Sequence, residues 1–234
     1  MFACMLLISF ESKFCSLDGT LAKNGSLGPN LFPLGNFLGS CFKIGGITSG
    51  YLVLNACLKI SSKILIYLSI KNKLQRRWFW ELLQNRGAKG KIIQGDARIS
   101  LEKERGEGDV QNFDVLVLDV FSGDAIPVHL LTRQAFSVYL DHLSENGVIA
   151  IHVSNRHLDL IPVVRDLAVH NGLRWSIARD NKSLSDWVIV GNEEVLKDMV
   201  NGVGKQYRFL PVNTSHGVVM WTDDYSNIFK VLKF

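Results

Sequence analysis

Sulfur is scarce in this chain: Cys4, Cys15, Cys41 and Cys57 are its four cysteines. No two of them stand in CxxC spacing and no histidine lies near them, which excludes the usual zinc site and a disulfide framework. A reducing compartment, the cytoplasm, is the expectation. Long apolar runs are also lacking. The opening MFACMLLISF has no basic leader and no A-x-A cleavage site, and it meets Glu11 and Lys13 at once, so neither a signal peptide nor a membrane helix is expected. Residues 47–70 are more apolar, yet Lys59 and Lys63 interrupt them before the roughly 20 residues a span needs. Internal repeats and low-complexity linkers are missing as well.

What remains is the composition of a folded globular protein, 47% apolar and 21% charged over 234 residues. One main domain fits that length. The net charge of +4 is a mild excess, most visible in Lys71, Lys73, Arg76, Arg77, Arg86, Lys89 and Lys91, with Trp78, Phe79 and Trp80 between them. An amphipathic helix with a solvated face accounts for this run, and a nucleic-acid patch with aromatic platforms is the other reading.

From residue 91 onward, apolar runs of strand length alternate with segments of helical period, the pattern of a doubly wound parallel sheet. Strands are expected over residues 91–95, 114–120, 147–153, 174–179 and 186–190, and a further one over 63–69. Thr132 is placed to cap a helix with Ala135, Phe136, Val138, Tyr139, Leu140 and Leu143 inside, closed by Gly147 after Asn146. A second helix after Leu158 buries Val163, Val164, Leu167 and Ala168 and stops at Asn171-Gly172. The link 180–185 is too short for a crossover helix, so the last two strands form an antiparallel hairpin. Residues 1–40 hold neither period for long and form an unassigned segment; residues 41–234 form the domain.

In order, GGITSG after one strand, QGDARISLE after another, FDVLVLDVFSGDAIP, a long helix, GVIAIHVSNR and WTDDYSN resemble the spermidine synthase (polyamine aminopropyltransferase) family. The resemblance is nearest to the bacterial spermidine synthase-like domain often attached to a transporter-like membrane portion. It is close from about Gly95 to the end, loose over residues 41–87, and absent before Cys41. It implies the Rossmann-like sheet of class I S-adenosylmethionine-dependent methyltransferases, parallel with one antiparallel strand at its edge. The implied reaction moves an aminopropyl group from decarboxylated S-adenosylmethionine to a diamine such as putrescine, in polyamine biosynthesis. No metal, nucleic acid or membrane span is needed, and a homodimer is a further expectation.

In an open α/β sheet, ligands sit beyond the carboxyl ends of the strands, where the loops after the first and fourth strands become neighbours. GGITSG and VFSGDAIP would both lie there. Gly45, Gly46 and Gly50 would line the nucleoside, although such a turn is also an ordinary tight connection. The resemblance makes Asp96, with Ala97, the adenine contact; a helix N-cap is the other role for Asp96. It makes Asp119 the base that takes a proton from the attacking amine, since a protonated amine has no lone pair to attack with. Asp124, with Ser122 beside it, would hold the substrate's cationic nitrogen, or else form a turn before Pro127.

His152, Ser154 and Asn155 close the next strand and are candidates for the pocket wall. In the tail, Asp223 and Asp224 after Trp221 read as helix caps before Tyr225 or as substrate contacts. VFSGD lacks the first glycine of G-x-S-x-G, so Ser122 is not a hydrolase nucleophile. At the end of the second strand, where this class carries an acid for the ribose hydroxyls, Leu68 or Ser69 stands instead. The alternatives to the transferase are a catalytically silent sheet domain and an S-adenosylmethionine-dependent methyltransferase acting on RNA.

Overall fold

The computed structural model describes residues 4–9, 63–68, 89–119, 128–180, 186–202, 207–210 and 217–233. Eight strands form one sheet among them: β1 (Cys4–Ser9), β2 (Lys63–Leu68), β3 (Lys89–Gln94), β4 (Phe113–Asp119), β5 (Leu143–His152), β6 (Arg174–Asp180), β7 (Asp186–Gly191) and β8 (Tyr207–Leu210). Four α-helices accompany them: α1 (Ala97–Gly106), α2 (Arg133–Asp141), α3 (Ile161–His170) and α4 (Glu193–Gly202). The strand order is β3-β1-β2-β4-β5-β7-β6-β8.

The centre of the sheet is parallel, β2 beside β4 and β4 beside β5. Val115 to Leu118 on β4 and Val148 to Ile151 on β5 are all buried. Successive strand residues face opposite sides, so these strands show water neither face. That is why their apolar runs are continuous where a half-exposed strand would alternate. One side, with Leu116, Leu118, Ile149, Ile151, Val188 and Val190, joins α1, α2 and α3 in a single apolar cluster. This is an open, mixed α/β sheet of Rossmann-like type with a parallel centre.

The hairpin of β6 and β7 forms as its short link requires. Its antiparallel strand, β7, lies inside the sheet between β5 and β6, and the edge beyond β6 is taken by β8, also antiparallel. A third antiparallel strand, β1, separates β3 from β2 and comes from the stretch that has no readable period.

Local chemistry sets the ends of the elements. Gly95 takes φ +138°, a conformation L residues rarely adopt, and so turns β3 into α1. The Asp96 side chain then accepts from the Ile99 N–H at 3.1 Å and caps α1. Thr132 caps α2 in the same way through the Ala135 N–H at 3.2 Å, with Ala135, Phe136, Val138 and Tyr139 buried at helical spacing. Gly147 does not close α2, which ends at Asp141. It lies within β5, where a Cβ would meet the Phe113 carbonyl oxygen at 2.6 Å, so glycine there serves a close strand approach.

Residues 217–233 run back over the helical layer. Val219, Trp221 and Val231 are buried in its core. The Arg133 N–H donates to the Trp221 carbonyl at 2.9 Å, and the Asp159 N–H to that of Val231 at 2.7 Å. The buried Asp166 carboxylate, paired with Arg165 at 2.6 Å, accepts from the Val219 N–H.

Candidate active site

Asp119 closes β4 opposite Leu68 of β2. On the other flank Leu118 stands opposite Ile151, so His152 ends β5 at the same rim. Parallel pairing puts both carboxyl ends together, about 4.8 Å apart from strand to strand. Asp119 and His152 thus share the carboxyl rim of two central strands, the place where open α/β sheets receive ligands. Gly45, Gly46, Gly50, Ser122 and Asp124 lie outside the described residues, as does the basic run from Lys71 to Arg86.

His152 is fixed by its neighbour across the sheet. It pairs in register with Trp187, and the two rings stack with centroids 4.9 Å apart and planes 22° from parallel. Trp187 is completely buried, so the histidine rests on a rigid platform. Ser154 and Asn155 do backbone work. Ser154 Oγ accepts from the Asp186 N–H at 2.7 Å, and Asn155 Oδ1 accepts from the N–H groups of His157 and Leu158, both at 2.8 Å.

At the far side of the rim, Asp96 performs the capping role, and its second oxygen lies 2.8 Å from His129 Nε2. Ala97 has its side chain wholly buried in the core. The His129 carbonyl accepts from Arg98 Nη1 at 2.8 Å. Arg98 also grips Asp223 with both ends of its fork, at 2.7 and 2.6 Å, and Glu102 through Nε at 2.7 Å. Thr132 Oγ1 donates to Asp223 at 2.7 Å. The start of α1, the turn at Val128–Leu130, the cap of α2 and the tail therefore converge in one polar cluster.

This corrects the reading of Asp223 as a cap. The short helix that follows, Ile228–Val231, begins after Asn227; Asp223 is an anchor for the tail. Local pattern could not reveal this, because Arg98 and Asp223 are 125 residues apart. The bidentate bond from Arg98, then the Thr132 hydroxyl, outweigh burial and hold the Asp223 carboxyl at a pKa of about 2, below its ordinary 3.8. The same pairing raises the pKa of Arg98.

A carboxyl depressed on folding stabilises the fold above its unfolded pKa and loses that contribution as pH falls through the folded one. Asp223 is more than a third exposed, so solvent screening keeps the effect modest. Between pH of about 4 and about 2 the native chain should lose stability more steeply than Asp223→Asn. Urea unfolding of both proteins across that range checks this, and parallel curves would refute it.

The ribose position also needs correcting. β2 pairs directly with β4, which is the place of the first strand and not of the second. Leu68 therefore ends the strand in the first place and not the second, and Ser69 lies outside the described residues. The next place is held by β1, which runs the other way and brings its amino end, Cys4, to the rim opposite Leu68. A cysteine there supplies no carboxylate.

Among the described residues, no group of three or more His, Cys, Asp or Glu is placed to hold a metal ion. No helix among them is long and apolar enough to cross a membrane.

The class defined by this geometry is an open α/β sheet with acids and a histidine along its carboxyl rim. No protein-family model matches the chain. Over 59 residues it is 36% identical to a polyamine aminopropyltransferase of Vibrio vulnificus, a stretch that makes up 25% of this chain and 19% of that protein. The match thus spans about a fifth of that relative's length. Among solved structures it is similar to MNMC2 from Aquifex aeolicus, with 19% identity, 45% of this chain and 34% of that one covered, and a TM-score of 0.32. It is also similar to a probable spermidine synthase from Corynebacterium glutamicum, with 17% identity, coverage of 49% and 46%, and a TM-score of 0.33.

Proposed function

We propose that the chain is an aminopropyltransferase of the spermidine synthase type, using decarboxylated S-adenosylmethionine and a diamine such as putrescine. The observation that carries this reading is the place of Asp119, at the carboxyl end of a central parallel strand and beside the end of β5. The distant likeness to a polyamine aminopropyltransferase supports the same class.

Asp119 takes a proton from the diamine's ammonium group. The freed nitrogen lone pair attacks the aminopropyl methylene bonded to the sulfonium, a C–N bond forms, and the C–S electron pair returns to sulfur. Methylthioadenosine leaves as a neutral thioether, the new secondary amine stays protonated as an ammonium, and Asp119 passes the proton it took to solvent. Asp124 holds the distal cationic nitrogen of the diamine. Asp96 accepts the adenine amino N–H, and His152 on its Trp187 platform lines the amine side. In the sheet β3 and β4 are three strand spacings apart, about 14 Å, which suits a long ligand laid across the rim with its base at Asp96 and its reacting carbon at Asp119.

Purified protein given both substrates should form spermidine and methylthioadenosine in equal amounts, measured by chromatography. One observation favours a second reading, a catalytically silent domain: the rim end of β1 brings Cys4, and no ribose acid, to the second place. Absence of both products, with no heat from methylthioadenosine at millimolar concentration, would establish the silent domain instead.

A further inference from the structure

We infer that His129 is a positioning residue for the donor's base, holding the Asp96 carboxylate in the plane that reads an amino group; this rests on the transferase reading above. Asp96 Oδ1 takes the Ile99 N–H at the start of α1, and a carboxylate bound through one oxygen can still turn about its Cβ–Cγ bond. His129 Nε2, 2.8 Å from Oδ2, removes that freedom. Each carboxylate oxygen has two acceptor positions, so both oxygens keep one for a ligand. What remains is an array of acceptors with no donor. It fits a purine carrying an exocyclic amino group and repels one carrying a keto oxygen at the same place.

The histidine is itself held before any ligand arrives. Its carbonyl accepts from Arg98, whose fork is locked on Asp223, which in turn accepts from Thr132. A packing role does not account for it, because the His129 side chain is 51% exposed. Nor does stability, since exposed pairs of this kind contribute little and the Asp96 cap of α1 is made through the other oxygen.

The test is calorimetric titration of the full chain with methylthioadenosine and with its 6-keto counterpart methylthioinosine, on the native protein, His129→Ala, His129→Gln and Asp96→Asn. Native protein should prefer the amino compound by about a hundredfold or more. His129→Ala should bind it about tenfold more weakly, the expected worth of a hydrogen bond to a charged group. In turnover the loss should fall on KM for the donor and not on kcat. The glutamine amide can donate to the same oxygen, so His129→Gln should recover most of the affinity, and in the Asp96→Asn background His129→Ala should have no further effect. Native affinity in His129→Ala, or His129→Gln as weak as His129→Ala, overturns the role of His129 and leaves the donor reading intact. A native protein that binds neither nucleoside overturns the donor reading, and the role of His129 with it.

Discussion

Asp119→Asn is expected, under the proposed reaction, to lower kcat for spermidine formation by roughly two to four orders of magnitude, the range spanned by loss of a positioned general base. The amide has the same shape and cannot take the amine's proton. Asp119 ends β4 opposite Leu68, so the substitution leaves the buried residues of that strand untouched and the unfolding midpoint should stay close to that of the native protein. Binding of methylthioadenosine, which involves no proton transfer, should be nearly unchanged. A rate equal to native under saturating diamine would remove Asp119 from the chemistry, whatever else the rim does.

Trp221→Ala should cost about 3 to 5 kcal/mol of stability, as for other large-to-small changes in a packed core. The Trp221 side chain is completely buried in the cluster that joins β4, β5, β7 and the three helices. Its carbonyl takes the Arg133 N–H at 2.9 Å, and two residues later Asp223 accepts the Arg98 fork. Emptying the pocket therefore loosens the tail where its polar anchor is attached. Phe229, on the same tail and 83% exposed, is the control. Its alanine variant should lie within about 0.5 kcal/mol of native. Urea unfolding of the three proteins decides the matter; similar midpoints for Trp221→Ala and the native chain would mean that the tail is not part of the cooperative core.

The sheet was legible where burial is continuous along the chain. β4 and β5 announce themselves because both faces are covered, which demands unbroken apolar runs, and the parallel pairing of the two brings Asp119 and His152 to one rim. Caps were legible for the same local reason: Thr132 and Asp96 each bond an N–H three residues ahead. β1 was not, since CMLLIS is a short apolar run that period cannot tell from part of a helix. Gly147 read as the stop of α2 because Asn-Gly after an apolar helix has that meaning locally. Its real constraint comes from the Phe113 carbonyl on a neighbouring strand.

By itself, then, the amino-acid sequence determined the central strands β4 and β5, the helices α2 and α3, the N-caps at Thr132 and Asp96, the hairpin of β6 and β7, and the acid that ends β4. These depend on residues within a few positions of one another, and on whether an element is covered on one face or two. Tertiary structure alone decided the order of the strands, with β2 and not a preceding strand against β4 and β1 reversed beside it. It also decided the partners of the polar side chains, joining Arg98 to Asp223 and His129 to Asp96. The reason is physical: pairing between strands and ion pairing between distant charges depend on where the chain returns in space, and hydrophobic period carries no record of that return.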